Sequence, residues 1–336
     1  MTFKKATGIG AIVAVGAFAL TGCGTVGDTG GAAEGGTAAD PSDVTIGFLQ
    51  RQVDAPYYAA MQAEAEALAE EDGFTLLFQN AAGDPVTQLD QAQTLLSQGV
   101  DVLIVNAISP DTQRDQLEQI AGEVPLLFID TSIPEVGFTA VGSNNEEIGQ
   151  YSGELAAKRF EDGAAIDIAV INGGPNDEIV GPDRQKGFLA GLEAAGLTYN
   201  IVAEATGNYS QDEAVPATEG VLAAHPDVDL ILGLNDAMAL GALTVLRDQG
   251  NTETVVSGVD GQKEAFAEIA EGGCEGQYAS TALNSPSAAT DRAFEIALQV
   301  ATGEAEQDDF EAIEYIEGAG VDCDNVDEYY DEDSVF

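Results

Sequence analysis

The sequence predicts an α/β fold built from two similar doubly wound parallel-sheet lobes. Three observations lead there. Short apolar, β-rich runs alternate with longer Ala- and Glu-rich segments, a repeating rhythm of strand, helix, strand. The runs are apolar nearly throughout, as strands are when helices cover both faces of a parallel sheet. The rhythm restarts midway along about 290 residues, more chain than one hydrophobic core holds comfortably.

The first half opens with a strand at 44–49 and a helix at 56–71, whose leading proline suits a first helical turn. Gly73 stops it. A strand at 75–78 precedes a helix at 85–98, ended by Gly99. Strands at 102–105 and 126–129 follow, with a helix near 111–121 between them. The second half has strands at 164–171, 199–203, 230–234 and 255–259. Its helices fall near 146–160, 184–195, 211–224, 237–249 and 262–271. Strand order is not readable from this pattern.

Ahead of both halves lies a short basic start with Lys4 and Lys5, then an apolar run of about 15 residues. That is the layout of a secretory signal, and it is short of the roughly 20 residues that span a bilayer. The run ends Leu20-Thr-Gly-Cys23, which resembles a bacterial lipoprotein signal. The resemblance implies loss of residues 1–22, lipid on the Cys23 thiol, and a home on the outer face of the cell membrane. Residues 23–42, rich in Gly, Ala, Thr and Asp, read as a flexible tether.

Charge narrows the class. The chain has 11 Lys+Arg against 59 Asp+Glu, about −50 net once the leader is removed. Nucleic acid is excluded as a partner, because phosphate binding needs a basic patch. The acid reads mainly as a solvating surface. With Cys23 taken, Cys274 and Cys323 remain; two thiols in an exported protein suggest one disulfide, with two buried free thiols as the alternative. Neither has zinc-type spacing, and Asp322-Cys-Asp324 lacks the acid and Gly of a calcium loop. The single histidine, His225, sits in a His-Pro turn, so a Ser/His/Asp or Cys/His site is ruled out. Phosphate-loop, HExxH and nucleophile-elbow patterns are missing as well. The reading is a binding protein without cofactor or metal, not an enzyme.

Between 44 and about 316 the chain resembles the type 1 periplasmic binding proteins, in the ribose- and galactose-binding branch. The residues that carry this are Asp54-Ala-Pro-Tyr57-Tyr58, Arg184-Gln-Lys-Gly187-Phe188, His225-Pro-Asp-Val228, Asn235-Asp-Ala-Met238 with Gly241, and Gly258-Val-Asp260-Gly261. The resemblance implies two lobes joined by a three-crossover hinge, closing on a ligand, with crossings near 143–145, near Ser280 and between 307 and 314. It places 43–144 with about 281–310 in one lobe, 145–280 with about 311–320 in the other, and 321–336 as an acidic tail. It also implies a monomer that carries a sugar-like molecule to the permease subunits of an ABC importer; a sensory or quorum-signal receptor would use the same cleft.

Open α/β sheets bind ligands beyond the carboxyl ends of their strands. The polar residues there are Asn106, Asp130, Asn235 and Asp260, able to accept from and donate to sugar hydroxyls. Asn235 is assigned to the ligand and Asp236 to capping the next helix. Tyr57, Tyr58 and Tyr209 align with positions that cover sugar faces. Three departures from the ribose-binding pattern stand out. Thr131 replaces an Arg, Pro182 takes the place of a helix-opening Arg with Arg184 two residues on, and Ser280 aligns with a Gln. Arg184 and Ser280 therefore join the candidate ligand set, and Arg51 would admit an anionic ligand if it entered the cleft.

Overall fold

The computed structural model describes residues 39–336 apart from Asn176 and Glu178. The leader, Cys23 and residues 24–38 of the tether lie outside the described residues. The last tether residues belong to the folded body: Ala39 donates to the Thr302 carbonyl at 2.9 Å, and Asp40 caps a short 3-10 turn at Pro41–Asp43.

Two six-stranded sheets organise the chain. The first lobe runs β1 (Thr45–Gln50), α1 (Pro56–Asp72), β2 (Thr75–Asn80), α2 (Pro85–Gln98), β3 (Val102–Val105), α3 (Pro110–Ala121), β4 (Leu126–Ile129) and β5 (Thr139–Ser143). The second lobe follows with α4 (Asn145–Ala156), β6 (Ala165–Asn172), α5 (Val180–Ala194), β7 (Thr198–Thr206) and α6 (Gln211–Ala224). It continues through β8 (Leu230–Gly233), α7 (Asp236–Gln249), β9 (Val255–Ser257), α8 (Lys263–Gly272) and β10 (Tyr278–Ala282). The chain then returns to the first lobe for α9 (Pro286–Thr302) and β11 (Glu314–Ile316), and crosses again to β12 (Gly320–Val321).

Sheet order is β11-β5-β4-β3-β1-β2 in the first lobe and β12-β10-β9-β8-β6-β7 in the second. Pairing is parallel except where β12 meets β10. Strands β3 and β4 are buried along their whole length, because helices cover both faces of the sheet. Prolines open α1, α2, α3 and α9, where the missing N–H costs nothing.

Two expected crossings move. Ser280 is not at a crossing: it lies inside β10, fully buried, bonded to Ser152 and Ser257. The chain stays in the second sheet to Ala282 and crosses at 283–285. Residues 307–314 do not cross either, since β11 pairs with β5 and holds this stretch in the first lobe; the third crossing is at 317–319. The acidic tail, 321–336, is fastened to the second lobe. Cys323 is bonded to Cys274, Val326 is buried, and Tyr329 and Tyr330 pack on the second lobe's core.

Helices α4 and α5 meet backbone to backbone. A Cβ on Gly153 would stand 2.1 Å from the Phe188 carbonyl oxygen, and one on Gly187 would stand 1.9 Å from that of Glu146. Only glycine permits this approach, and it holds α5 close against α4.

Candidate functional site

The carboxyl ends of both sheets face a cavity of about 230 Å³ between the lobes, below the roughly 300–1,000 Å³ of drug-sized sites. Its ligand would be compact. Residues just past the strands supply the lining: Arg51 after β1, Asp130 after β4, Asn235 after β8, Asp260 after β9 and Asn284 after β10. Two of these hold unusual backbone angles, Asp130 at φ 63° and Asp260 at φ 130°. Such conformations cost about 1–3 kcal/mol each and persist where their surroundings enforce them. Here Asp130 N–H donates to Val141 O at 2.8 Å, while Asp260 is pinned between Ala282 O and the Asn284 N–H, both at 2.9 Å.

Arg184 and Asp260 form a buried ion pair at 2.8 Å, with side chains 3% and 7% exposed. The guanidinium also donates from Nε to Asn145 Oδ1 and from Nη1 to the Leu234 carbonyl, both at 2.9 Å. One side chain thus ties α5, the first crossover and two strand ends together. Asn284 supports the same carboxylate, donating to Asp260 Oδ1 at 3.0 Å and accepting from the Tyr57 hydroxyl at 3.2 Å. Burial acts to raise Asp260, and Arg184 opposes it.

Arg51 is held differently. It donates from Nη1 to Thr131 Oγ1 at 3.2 Å and lies 5.7 Å from the centre of the Tyr58 ring, while its buried Nε finds no partner among the described residues. Burial raises Asp130, and Arg51 beside it pulls the other way. On the far wall Tyr209 donates to Asp177 Oδ2 at 2.6 Å. Burial pushes the Tyr58 hydroxyl up to about 12 and moves Tyr57 and Tyr209 upward too, so all three are neutral donors near pH 7. In charge, among the described residues three carboxylates (Asp130, Asp177 and Asp260) face two guanidinium groups (Arg51 and Arg184).

Of the residues read from sequence, Tyr57, Tyr58, Asp130, Arg184, Tyr209, Asn235 and Asp260 come together around this cavity. Asn106 and Ser280 do not line it. Asn106 is fully buried and its amide donates to Gln50 Oε1 at 3.0 Å and Asp130 Oδ2 at 3.3 Å, so it holds Asp130 from behind. Ser280 stands in mid-strand, and Asn284 occupies the position at the second crossing. The capping assignment is also corrected. Asn235 Oδ1 itself accepts from Met238 N at 2.9 Å, leaving its amide group toward the cavity and Tyr209 O.

Asp236 instead lies inside α7, fully buried. It accepts from Tyr278 Oη at 2.7 Å, Thr281 Oγ1 at 2.8 Å and Gln262 N at 2.7 Å. Burial, with Asp260 nearby, pushes it from 3.8 up to about 7. A carboxyl whose folded pKa is raised contributes stability that is full below its unfolded value and lost as pH rises through the folded one. Melting temperature is therefore expected to fall between about pH 4 and 7. Asp291, lifted to about 6 by burial and Glu64, acts in the same direction. Asp236→Asn should flatten the upper part of that slope in thermal scans; an unchanged slope would remove Asp236 as its source.

A family model described as "Periplasmic binding protein domain" matches residues 46–305. The chain belongs to this family. This periplasmic binding protein is 26% identical over 268 residues to the ribose import binding protein of Bacillus subtilis, across 79% of the chain and 84% of that protein. It is 27% identical over 271 residues to the xylitol-binding protein of Mycolicibacterium smegmatis, across 79% and 73% respectively. An ABC transporter solute binding protein from Mycobacterium smegmatis, solved with bound glycerol, superposes with a TM-score of 0.77 at 31% identity, covering 87% of this chain and 98% of that one.

Proposed function

We propose that this periplasmic binding protein captures a small, uncharged polyhydroxylated molecule, a monosaccharide or related polyol, and delivers it to the permease of an ABC importer. The observation that carries the ligand class is the charge pattern of the cavity. Arg184 is committed to Asp260 and two further acceptors, so it is not a free anion site. Arg51 stands beside Asp130, and Asp177 leaves a negative balance that disfavours a carboxylate or phosphate ligand. Carboxylate oxygens with spare lone pairs, an amide and tyrosine hydroxyls suit vicinal hydroxyl groups. The relatives named for ribose and xylitol, and the one holding glycerol, support the same class. The role is binding rather than catalysis, with cleft closure as the working motion. Lipid on Cys23, the tether and the Cys274–Cys323 bond fit an anchored protein on the outer face of the membrane.

A thermal-shift panel of the full chain tests this. Neutral sugars and polyols are expected to raise the melting point, in proportion to about 2.7 kcal/mol at a hundredfold excess over Kd. A shift with sugar acids alone would overturn the ligand class. Arg51→Met should weaken the responding compound by about tenfold, the value of one hydrogen bond to a charged group. An unchanged affinity in that variant would take Arg51 out of the contact set.

A further inference from the structure

Tyr57 belongs to the first lobe, at the start of α1, yet one of its supports comes from the second. Phe336 stands with its ring centre 5.6 Å from that of Tyr57, nearly perpendicular at 77°, and it packs on the first lobe's core. The segment leading to it is fixed to the second lobe. Cys323 is bonded to Cys274, Val326 is buried and Tyr330 lies against the second core. Lys263, at the start of α8, donates to the Ser334 carbonyl at 2.6 Å, and Ser334 Oγ in turn accepts from the Phe336 N–H at 3.2 Å. Residues 321–336 therefore span the two lobes outside the three crossovers, and their far end rests on a cavity-lining ring.

We infer that Phe336 is a positioning residue for Tyr57, and that it makes the orientation of this ring depend on how the lobes sit. The inference deepens the ligand reading, since it rests on Tyr57 as a contact. The chemistry is direct. Tyr57 is 7% exposed, and its hydroxyl is tied to Asn284 at the second crossing. Its ring is flanked edge-on by Tyr58 at 5.4 Å and by Phe336. Remove Phe336 and one flank of the ring opens. Tyr57 can then turn away from Asn284, which also supports Asp260. Phe336 thereby links second-lobe movement to both a ring and a carboxylate of the cavity.

Hydrogen exchange of the ligand-free full chain tests this independently of any ligand. Phe336→Ala is expected to speed amide exchange about fivefold at 57–61 and 283–285, the loss of one aromatic pair. Residues 321–330, behind the disulfide, should keep wild-type exchange, and Phe336→Tyr should restore 57–61 and 283–285. Were the segment only a docked end, Phe336→Ala would loosen residues 334–336 alone. That outcome, or equal exchange at 57–61 in all three proteins, overturns the inference. Because no ligand enters the measurement, a failed ligand panel leaves it readable.

Discussion

Arg184→Met is expected to abolish ligand binding and to lower unfolding free energy by about 3–5 kcal/mol, the cost of stranding one member of a buried ion pair. The variant leaves the Asp260 carboxylate buried without its cation, and it leaves Leu234 O and Asn145 Oδ1 without a donor. Lysine would not substitute well, since one ammonium cannot reach three acceptors arranged for a planar fork. Urea midpoints and titrations on the same samples separate the two roles. The double variant Arg184→Met with Asp260→Leu should recover most of the stability, because an apolar pair of similar bulk replaces the charges. It should not recover binding. A single variant within about 0.5 kcal/mol of wild type, the scatter of ordinary surface changes, would mean that the pair does not organise the site.

The second large effect comes from a glycine that touches no ligand. Gly187→Ala puts a Cβ 1.9 Å from Glu146 O and 2.9 Å from Gln150 N, both backbone atoms that no rotamer can move aside. Helix α5 must then lift from α4. Overpacking of this kind costs typically 1–3 kcal/mol and occasionally more, and the upper end applies because two backbones collide. Arg184 lies one turn earlier on α5, so the lift also pulls its guanidinium from Asp260 and weakens binding. Gly220→Ala is the control: among the described residues nothing lies within 4 Å of its Cβ position, and alanine in an exposed helix should stabilise by roughly 0.5–1 kcal/mol. Equal effects at the two positions would contradict the helix-clamp account.

How much of this was legible beforehand depends on residue type. Aliphatic strands such as Val102–Val105 and Leu126–Ile129 announce themselves, and the polar residues at their ends fall where the sheets deliver them. β10 reads Tyr-Ala-Ser-Thr-Ala, with few aliphatics although fully buried, because Ser280 bonds to Ser152 and Ser257 and Thr281 bonds to Asp236. Such a strand carries no aliphatic signature. The pattern therefore puts Ser280 at a crossing and carries no signal for Asn284. Asn106 was placed correctly at a strand end, but depth below the cavity floor depends on tertiary packing that local pattern does not encode. The same holds for Asp177, whose part in the site depends on Tyr209 reaching it from the loop after β7. Asp236 looked like a cap by position. It proves to be the hub of a buried network because Tyr278 and Thr281 converge on it from a strand more than 40 residues away.

Isothermal titration of the full chain against matched neutral and acidic sugars, D-glucose beside D-glucuronate and myo-inositol beside its phosphate, tests the central claim most directly. The account predicts saturable one-to-one heat with a neutral compound, none with its anionic counterpart, and loss of that heat in Asp260→Asn. Tighter binding of the anion, retained in Asp260→Asn and lost in Arg51→Met, would contradict it.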